Sequence, residues 1–257
     1  MQAINIPEEV DGYDILLADT KDRIWIADSS SLLYVYEDTE WKAVTDTSFT
    51  LMRRITCSIE DHKGRIWFGT WGNGLLRYED GNWHKLLPAD GLPNTQIFSS
   101  LVDRHGSLWL GSMGGSPSRN SPSIMRSYGV EHGLPHDLVF DILENVDGSI
   151  WFATYGGVAE FDRGVFSSIE IHPDTTQAST TAMFIDSQNM IWVGFDDGAV
   201  SRYSEGKWVH WDPDEIVVGG IGFGRAWEFA EDENGHIWMS RHWGVARFDG
   251  QDWRTYD

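Results

Sequence analysis

Three observations predict an all-β fold, a six-bladed β-propeller with four antiparallel strands per blade. Six tryptophans, Trp25, Trp67, Trp109, Trp151, Trp192 and Trp238, recur at spacings of 42, 42, 42, 41 and 46 residues, and a period of that length marks a repeat architecture. The words leading to them return each time, as DTKDRIW, DHKGRIW, DRHGSLW, NVDGSIW, DSQNMIW and DENGHIW. Each unit also holds four short runs rich in Ile, Trp, Phe and Tyr and punctuated by Gly, Asn and Asp, which is how strands joined by tight turns are written. Four strands in about 40 to 45 residues make a propeller blade.

The second unit shows the elements in order. RRITCSIED (53–61) is the first and innermost strand, a turn at His62 to Gly64 leads into RIWFGT (65–70), and GLLRYED (74–80) and NWHKLL (82–87) complete the blade. The same phrasing places the blades at about 9–47, 48–89, 90–131, 132–172, 173–215 and 216–257. A single blade cannot bury both of its apolar faces, so neighbours must stack, and residues 1–257 are expected to form a single domain. Every unit owns its fourth strand, the last one as QDWRTYD, so no exchange of a strand between the first and last blades is expected. Gln2 to Ile6 are either an added outer strand or a frayed end. In the third unit SPSRNSP (116–122) stands where the others have an apolar strand, although Arg119 keeps the register of Arg77; that strand is expected to be poorly paired and mobile.

Composition fits one large core: 41% of the 257 residues are hydrophobic and 13% aromatic. A net charge of −21 excludes nucleic acid and anionic membrane surfaces as partners, since both demand clustered Lys and Arg. It favours a neutral or cationic ligand. With no apolar run of about 18 residues and no basic-then-apolar leader, the chain is expected to be soluble and not to insert in a membrane. The compartment stays open, cytoplasmic by default and periplasmic where a leader has been removed. The one cysteine, Cys57, excludes an intrachain disulfide and reads as a small buried apolar residue.

The phrases DHKGRIWFGT with GLLRYEDGNW, VDGSIWFATYGGVAEFDRG, NGHIWMS with GVARFDGQDWRTY, and the linkers DGLPNTQ and HGLPHDL resemble the two-component regulator propeller repeats. The resemblance covers nearly the whole chain and implies the propeller fold. In that family such blades usually form the ligand-sensing region of large membrane histidine kinases, often for saccharides, and they also occur in short free-standing proteins. This chain has no kinase and fewer blades than those sensors, so the signalling role is not carried over.

Comparing the repeats with one another separates scaffold from site. Positions shared by all units follow from blade geometry, among them the anchors, the turn glycines and the acid six residues before each anchor (Asp19, Asp61, Asp103, Asp186 and Asp232, with Asn145 in the fourth). That acid is expected to cap the turn through a side-chain oxygen. Positions where the units disagree are free to serve a ligand. Four after each anchor stand Ser29, Trp71, Met113, Tyr155, Asp196 and His242; thirteen before stand Gly12, Arg54, Gln96, Leu138, Ser179 and Arg225. Both series are expected on one face, with aromatic plates, two guanidinium groups and a histidine around a concave mouth. Trp71, Trp211, Trp227 and Trp243 fall outside the structural register of the fourteen tryptophans and are assigned to the same face, as stacking platforms for a sugar ring or a cation. GGIGFG (219–224) lacks the strand-to-helix context of a phosphate loop and reads as a flexible lid.

Two functions follow. The first is a non-catalytic module that binds a small polar or saccharide-like ligand, or docks a protein partner, through Arg54, Trp71, Gln96, Met113, Tyr155, Asp196, Arg225, Trp227, His242 and Trp243. The second is a lyase or hydrolase on the same face, with His242 as base, Tyr155 or Glu228 as its acid partner, and Arg54 and Arg225 stabilising negative charge. It would be loosely similar to the propeller lyases that open cyclic peptide antibiotics, although no motif matches them. Asp141 and Glu228, ten before their anchors, each need a partner, and Arg54 or Arg225 is the expected one. His132, His136 and His242 are the one histidine cluster on that face, but their spacing matches no metal signature, so neither metal nor cofactor is expected.

Overall fold

The computed structural model describes residues 6, 10, 13–28, 32–44, 54–121, 124–171, 179–216, 224–241 and 244–256. Six four-stranded antiparallel sheets account for almost all of them, each made of four strands consecutive in the chain. The first three sheets are β1 (Tyr13–Ala18) to β4 (Glu40–Ala43), β5 (Ile55–Glu60) to β8 (Asn82–Leu86), and β9 (Ile97–Val102) to β12 (Ile124–Ser127). The last three are β13 (Val139–Glu144) to β16 (Val165–Ile169), β17 (Thr180–Ile185) to β20 (Lys207–Trp211), and β21 (Ala226–Glu231) to β24 (Trp253–Tyr256). Every fourth strand thus comes from its own repeat, the last included. The chain is a six-bladed β-propeller. Its one α-helix among the described residues, α1 (Pro213–Ile216), is a single turn, and no described helix is long and apolar enough to cross a membrane.

Two compact units divide the chain, residues 1–112 with 118–126 and residues 113–117 with 127–257. Within each unit the first strands of successive blades lie side by side, β1 to β5 to β9 in one and β13 to β17 to β21 in the other.

The repeated words become a repeated clasp. In the second blade Asp61 Oδ1 accepts the backbone N–H of Lys63 (2.9 Å) and Arg65 (3.1 Å), closing the turn, while Oδ2 accepts the Trp67 indole N–H at 2.8 Å. Asp19, Asp103, Asp186 and Asp232 hold Trp25, Trp109, Trp192 and Trp238 in the same way, at 2.8 to 2.9 Å. So the acid caps its turn as expected, and it also fixes the anchor. In the fourth blade Ser149 Oγ takes the Trp151 indole N–H at 3.2 Å and itself donates to Asp147.

Between blades the anchor is received by aromatics of the next repeat. Trp25 meets Tyr78 and Trp83 at 5.2 and 6.1 Å, Trp151 meets Tyr203 and Trp208 at 5.6 and 6.2 Å, and Trp192 meets Phe248 and Trp253 at 5.5 and 6.2 Å. Trp83, Trp208 and Trp253 of the outer strands are therefore seam residues. The Gly-Leu-Pro linkers add to the seal: Gly91 and Gly133 turn the chain at φ 97° and 103°, a region closed to most side chains, and Leu92 and Leu134 are then buried.

Two expectations change. β11 (Ser118–Ser121) is paired, with Leu108 opposite Asn120, Trp109 opposite Arg119 and Leu110 opposite Ser118. Pairing asks only for backbone groups, and Arg119 lays its guanidinium 5.0 Å from the Trp109 ring centre. Trp211 belongs to the core: it extends β20 and stacks on Trp192 at 5.7 Å and 9°. Cys57 is half-buried against the cluster that holds Trp67, Leu75 and Ile97, and burial pushes its thiol up to about 11. Gln2 to Asn5 and most of GGIGFG lie outside the described residues.

Candidate binding site

The first strands share a backbone irregularity. In the second to sixth blades the ladder skips the residue eleven before the anchor: Thr56, Phe98, Phe140, Thr181 and Trp227 have no partner on the second strand. A bulge turns its residue out of the strand's alternation and re-aims the side chain. The bulge sits near the strand's beginning, at the end of the blade where the variable positions gather.

In the first unit it joins three of the expected residues. The Trp71 N–H donates to Arg54 O at 2.9 Å, Trp71 and Gln96 form an isolated β-bridge, and the half-exposed indole stands edge-on to Phe98 at 4.9 Å. Gly72 and Gly74 both donate to Thr95 O, at 3.0 and 2.9 Å, tying this loop to the next blade.

In the second unit Arg225 is the centre. Its guanidinium carbon lies 4.3 Å from the Phe140 ring centre and 4.5 Å from that of Trp227. Burial lowers its pKa from the usual value, and the Asp196 carboxylate opposes that shift. Among the described residues no hydrogen bond or ion pair reaches the guanidinium, and Nε is buried without a partner. Trp227 keeps 51% of its surface exposed. Asp196 is held by an exchange with Ser179, Oδ1 accepting its N–H at 3.1 Å.

Asp141 follows Phe140 as Glu228 follows Trp227, so the two acids occupy the same register position in the fourth and sixth blades. Burial raises Asp141 to about 6; the N–H groups of Met183 and Ile142, both at 2.8 Å, work against this, and the nearby Glu228 charge adds to it. The expected arginine partner is thus replaced by two backbone donors. Arg225 lies instead against Phe140 and Trp227, and the Met183 N–H of β17 occupies Asp141 Oδ2. Glu228 is exposed and makes no side-chain hydrogen bond among the described residues.

The remaining expected residues separate. Tyr155, 54% exposed, donates its N–H to Leu138 O at 3.1 Å and sets its ring 5.2 Å from His136, not against Glu228. Met113 is exposed. His136 and His132 each use Nδ1 to accept a backbone N–H, from Leu138 at 2.9 Å and Gly129 at 3.0 Å, and no group of three metal-ligating side chains occurs among the described residues. His242 and Trp243, like Gly12 and Ser29, lie outside the described residues. Phe98 and Phe140 were missed by the sequence reading. Aligning the repeats eleven before the anchor, where they join Trp227, would have found them.

Residues 52–72 and 91–114 match the family model described as two component regulator propeller. No curated protein matches the chain. Among solved structures, the extracellular domain of BT4673 from B. thetaiotaomicron, assigned as a hybrid two component system, aligns over 100% of this chain with a TM-score of 0.77 at 19% identity. The chain spans only 35% of that domain's length. Virginiamycin B lyase from Staphylococcus aureus aligns over 97% of this chain and 85% of its own, with a TM-score of 0.70 at 14% identity. PorZ, a surface component of the type-IX secretion system of Porphyromonas gingivalis, aligns over 100% and 43% with a TM-score of 0.66 at 17% identity. Identities this low carry the fold and none of the chemistry. The two matched segments lie in the second and third repeats and carry the likeness to the two-component regulator propeller repeats, while the six sheets carry the propeller fold.

Proposed function

We propose that the chain is a ligand-binding module that takes a small polar or saccharide-like ligand at the bulged end of the blades. The observation that carries the reading is Arg225, set against both Phe140 and Trp227 with its donors unused among the described residues while the Trp227 indole stays exposed. A flat apolar plate beside a fixed row of N–H donors suits a ring bearing oxygen acceptors. The fold shared with the extracellular domain of BT4673 supports a sensing or binding role and an extracytoplasmic placement. A protein partner presenting the same chemistry is the second occupant the site accommodates. The lyase or hydrolase alternative gains no specific observation: Tyr155 lies against His136, and His242 is outside the described residues.

Thermal-shift screening against oligosaccharides, amino acids and nucleotides tests this. A ligand of the folded state at a hundredfold excess over Kd adds about 2.7 kcal/mol of stability, and Arg225→Ala and Trp227→Ala should each abolish the shift. A ligand whose shift survives both changes binds elsewhere and removes this reading.

A further inference from the structure

The chemistry around Arg225 limits the ligand more narrowly than its size does. Two blades set an aromatic against it, Phe140 from the fourth and Trp227 from the sixth, and each aromatic sits at the bulge with an acid next in the chain, Asp141 and Glu228, whose charges act on each other. The fifth blade, between them, carries Thr181 and Ala182, both small and buried, and Thr181 Oγ1 is turned away to Ala226 O at 2.6 Å. Arg225 can therefore reach across the fifth blade to Phe140. Two rings lie against the guanidinium, at 4.3 and 4.5 Å, and no hydrogen bond among the described residues uses its N–H edge. That edge is a planar fork of N–H donors, the shape that a carboxylate fills with two parallel hydrogen bonds.

Nothing among the described residues fills it. Asp196 is near enough to act on Arg225 electrostatically, yet no ion pair within 4.0 Å joins them. An anion alone would meet Asp141, Asp196 and Glu228. A cation alone would be drawn to Glu228, which lacks a partner among the described residues, but would meet Arg225. A neutral ring would leave both the guanidinium and Glu228 unanswered. A ligand with one charge of each sign answers both.

Resting on the binding role argued above, we propose that the ligand is a zwitterion of the α-amino acid or short-peptide class, its carboxylate on the Arg225 edge, its ammonium toward Glu228 and Asp141, and its side chain on the exposed face of Trp227. Calorimetric titration of the full chain with the free L-amino acids and a set of dipeptides, beside neutral oligosaccharides, provides the test. Each binder is repeated as its amide, its N-acetyl derivative and the doubly blocked form. The zwitterion should bind, and blocking either charge should weaken it at least tenfold. Arg225→Gln should lose the preference for acid over amide, and Glu228→Gln the preference for ammonium over N-acetyl. The blocked-ligand series on the unaltered protein stands even if a variant folds poorly. Equal binding of blocked and free forms overturns the inference. A neutral saccharide that binds through Arg225 and Trp227, with no amino acid or peptide binding, also overturns it and leaves the binding role intact. No ligand of any class depending on either residue removes both.

Discussion

At the scale of single residues the chain couples an acid, an indole and a guanidinium. Arg77, Arg119, Arg202 and Arg247 each lie opposite the anchor of their own blade and place their guanidinium carbon 5.0 to 5.7 Å from its ring centre; in the first blade Arg23 does so at 5.2 Å. Among the described residues the fourth blade alone has no such arginine, since Glu160 stands opposite Trp151, and it is also the blade with Asn145 in place of the aspartate. Asp103→Ala would strand the Trp109 indole N–H and the turn N–H groups of His105 and Ser107. Each stranded donor costs about 1 to 3 kcal/mol when buried and less where water can reach, so the total should be about 3 to 4 kcal/mol. Asn145→Ala should cost less, about 1 kcal/mol, because in that blade Ser149 and not Asn145 serves the Trp151 indole. Urea unfolding of the two variants compares them; equal losses would show that the aspartate is not what fixes the anchor.

At the scale of elements, blade spacing depends on the residue two after each anchor, which is Ala27, Gly69, Gly111, Ala153, Gly194 and Ser240. A Cβ on Gly194 would lie 2.5 Å from Ala226 Cβ and 3.0 Å from the Phe229 ring; one on Gly69 would meet Cys57 Sγ and Ile97. Neither glycine is there for its backbone freedom. Gly194→Ala should therefore destabilise by about 1 to 3 kcal/mol through overpacking, and adding Ala226→Gly should recover part of that loss. Thermal unfolding of the single and double variants measures the coupling, and strict additivity would mean that the seam is looser than these distances. The blades, their order and the turn acids were legible in the sequence because a period and a fixed spacing determine them. The bulges were not. They arise from how two strands pair, and nothing in the alternation of RRITCSIED marks where the ladder slips. The stacking of Arg225 on Phe140 was equally hidden, since it joins the fourth and sixth blades and depends on small residues in the fifth. Trp211 was misplaced because it looked like a loop residue, whereas one further step of β20 brings it over Trp192.

At the scale of the whole molecule, 40 acidic against 19 basic residues give a charge of −21 and a pI near 4.6, so self-repulsion opposes compaction at neutral pH. Asp141 adds to that opposition. Its carboxyl rises from 3.8 to about 6 in the folded protein, which means the folded state holds that proton more tightly than the unfolded chain does. The resulting penalty is full above pH 6 and fades as the pH falls toward 4; a shift of this size is worth at most about 3 kcal/mol. The turn acids act in the other direction. In Asp19, Asp61 and Asp103 desolvation alone would raise the pKa, but the indole and backbone N–H groups outweigh it and hold the carboxyls below their usual range. Asp232 is lowered too, chiefly by the Trp238 N–H. Their stabilisation is present above about pH 4 and is lost only below it. Between pH 7.5 and 5.5 the self-repulsion and Asp141 therefore both relax while the clasps stay intact, and Tm should rise as the pH is lowered across that window. Glu228→Gln, which removes the charge adding to the Asp141 shift, should make the rise shallower. Salt at about 0.5 M, where screening acts within a few ångströms, should raise Tm more at pH 7.5 than at 5.5. Calorimetric scans at the two pH values, with and without salt, decide the matter: a Tm that falls on acidification within this window would mean that some group other than Asp141 and the surface charge governs the stability of the propeller.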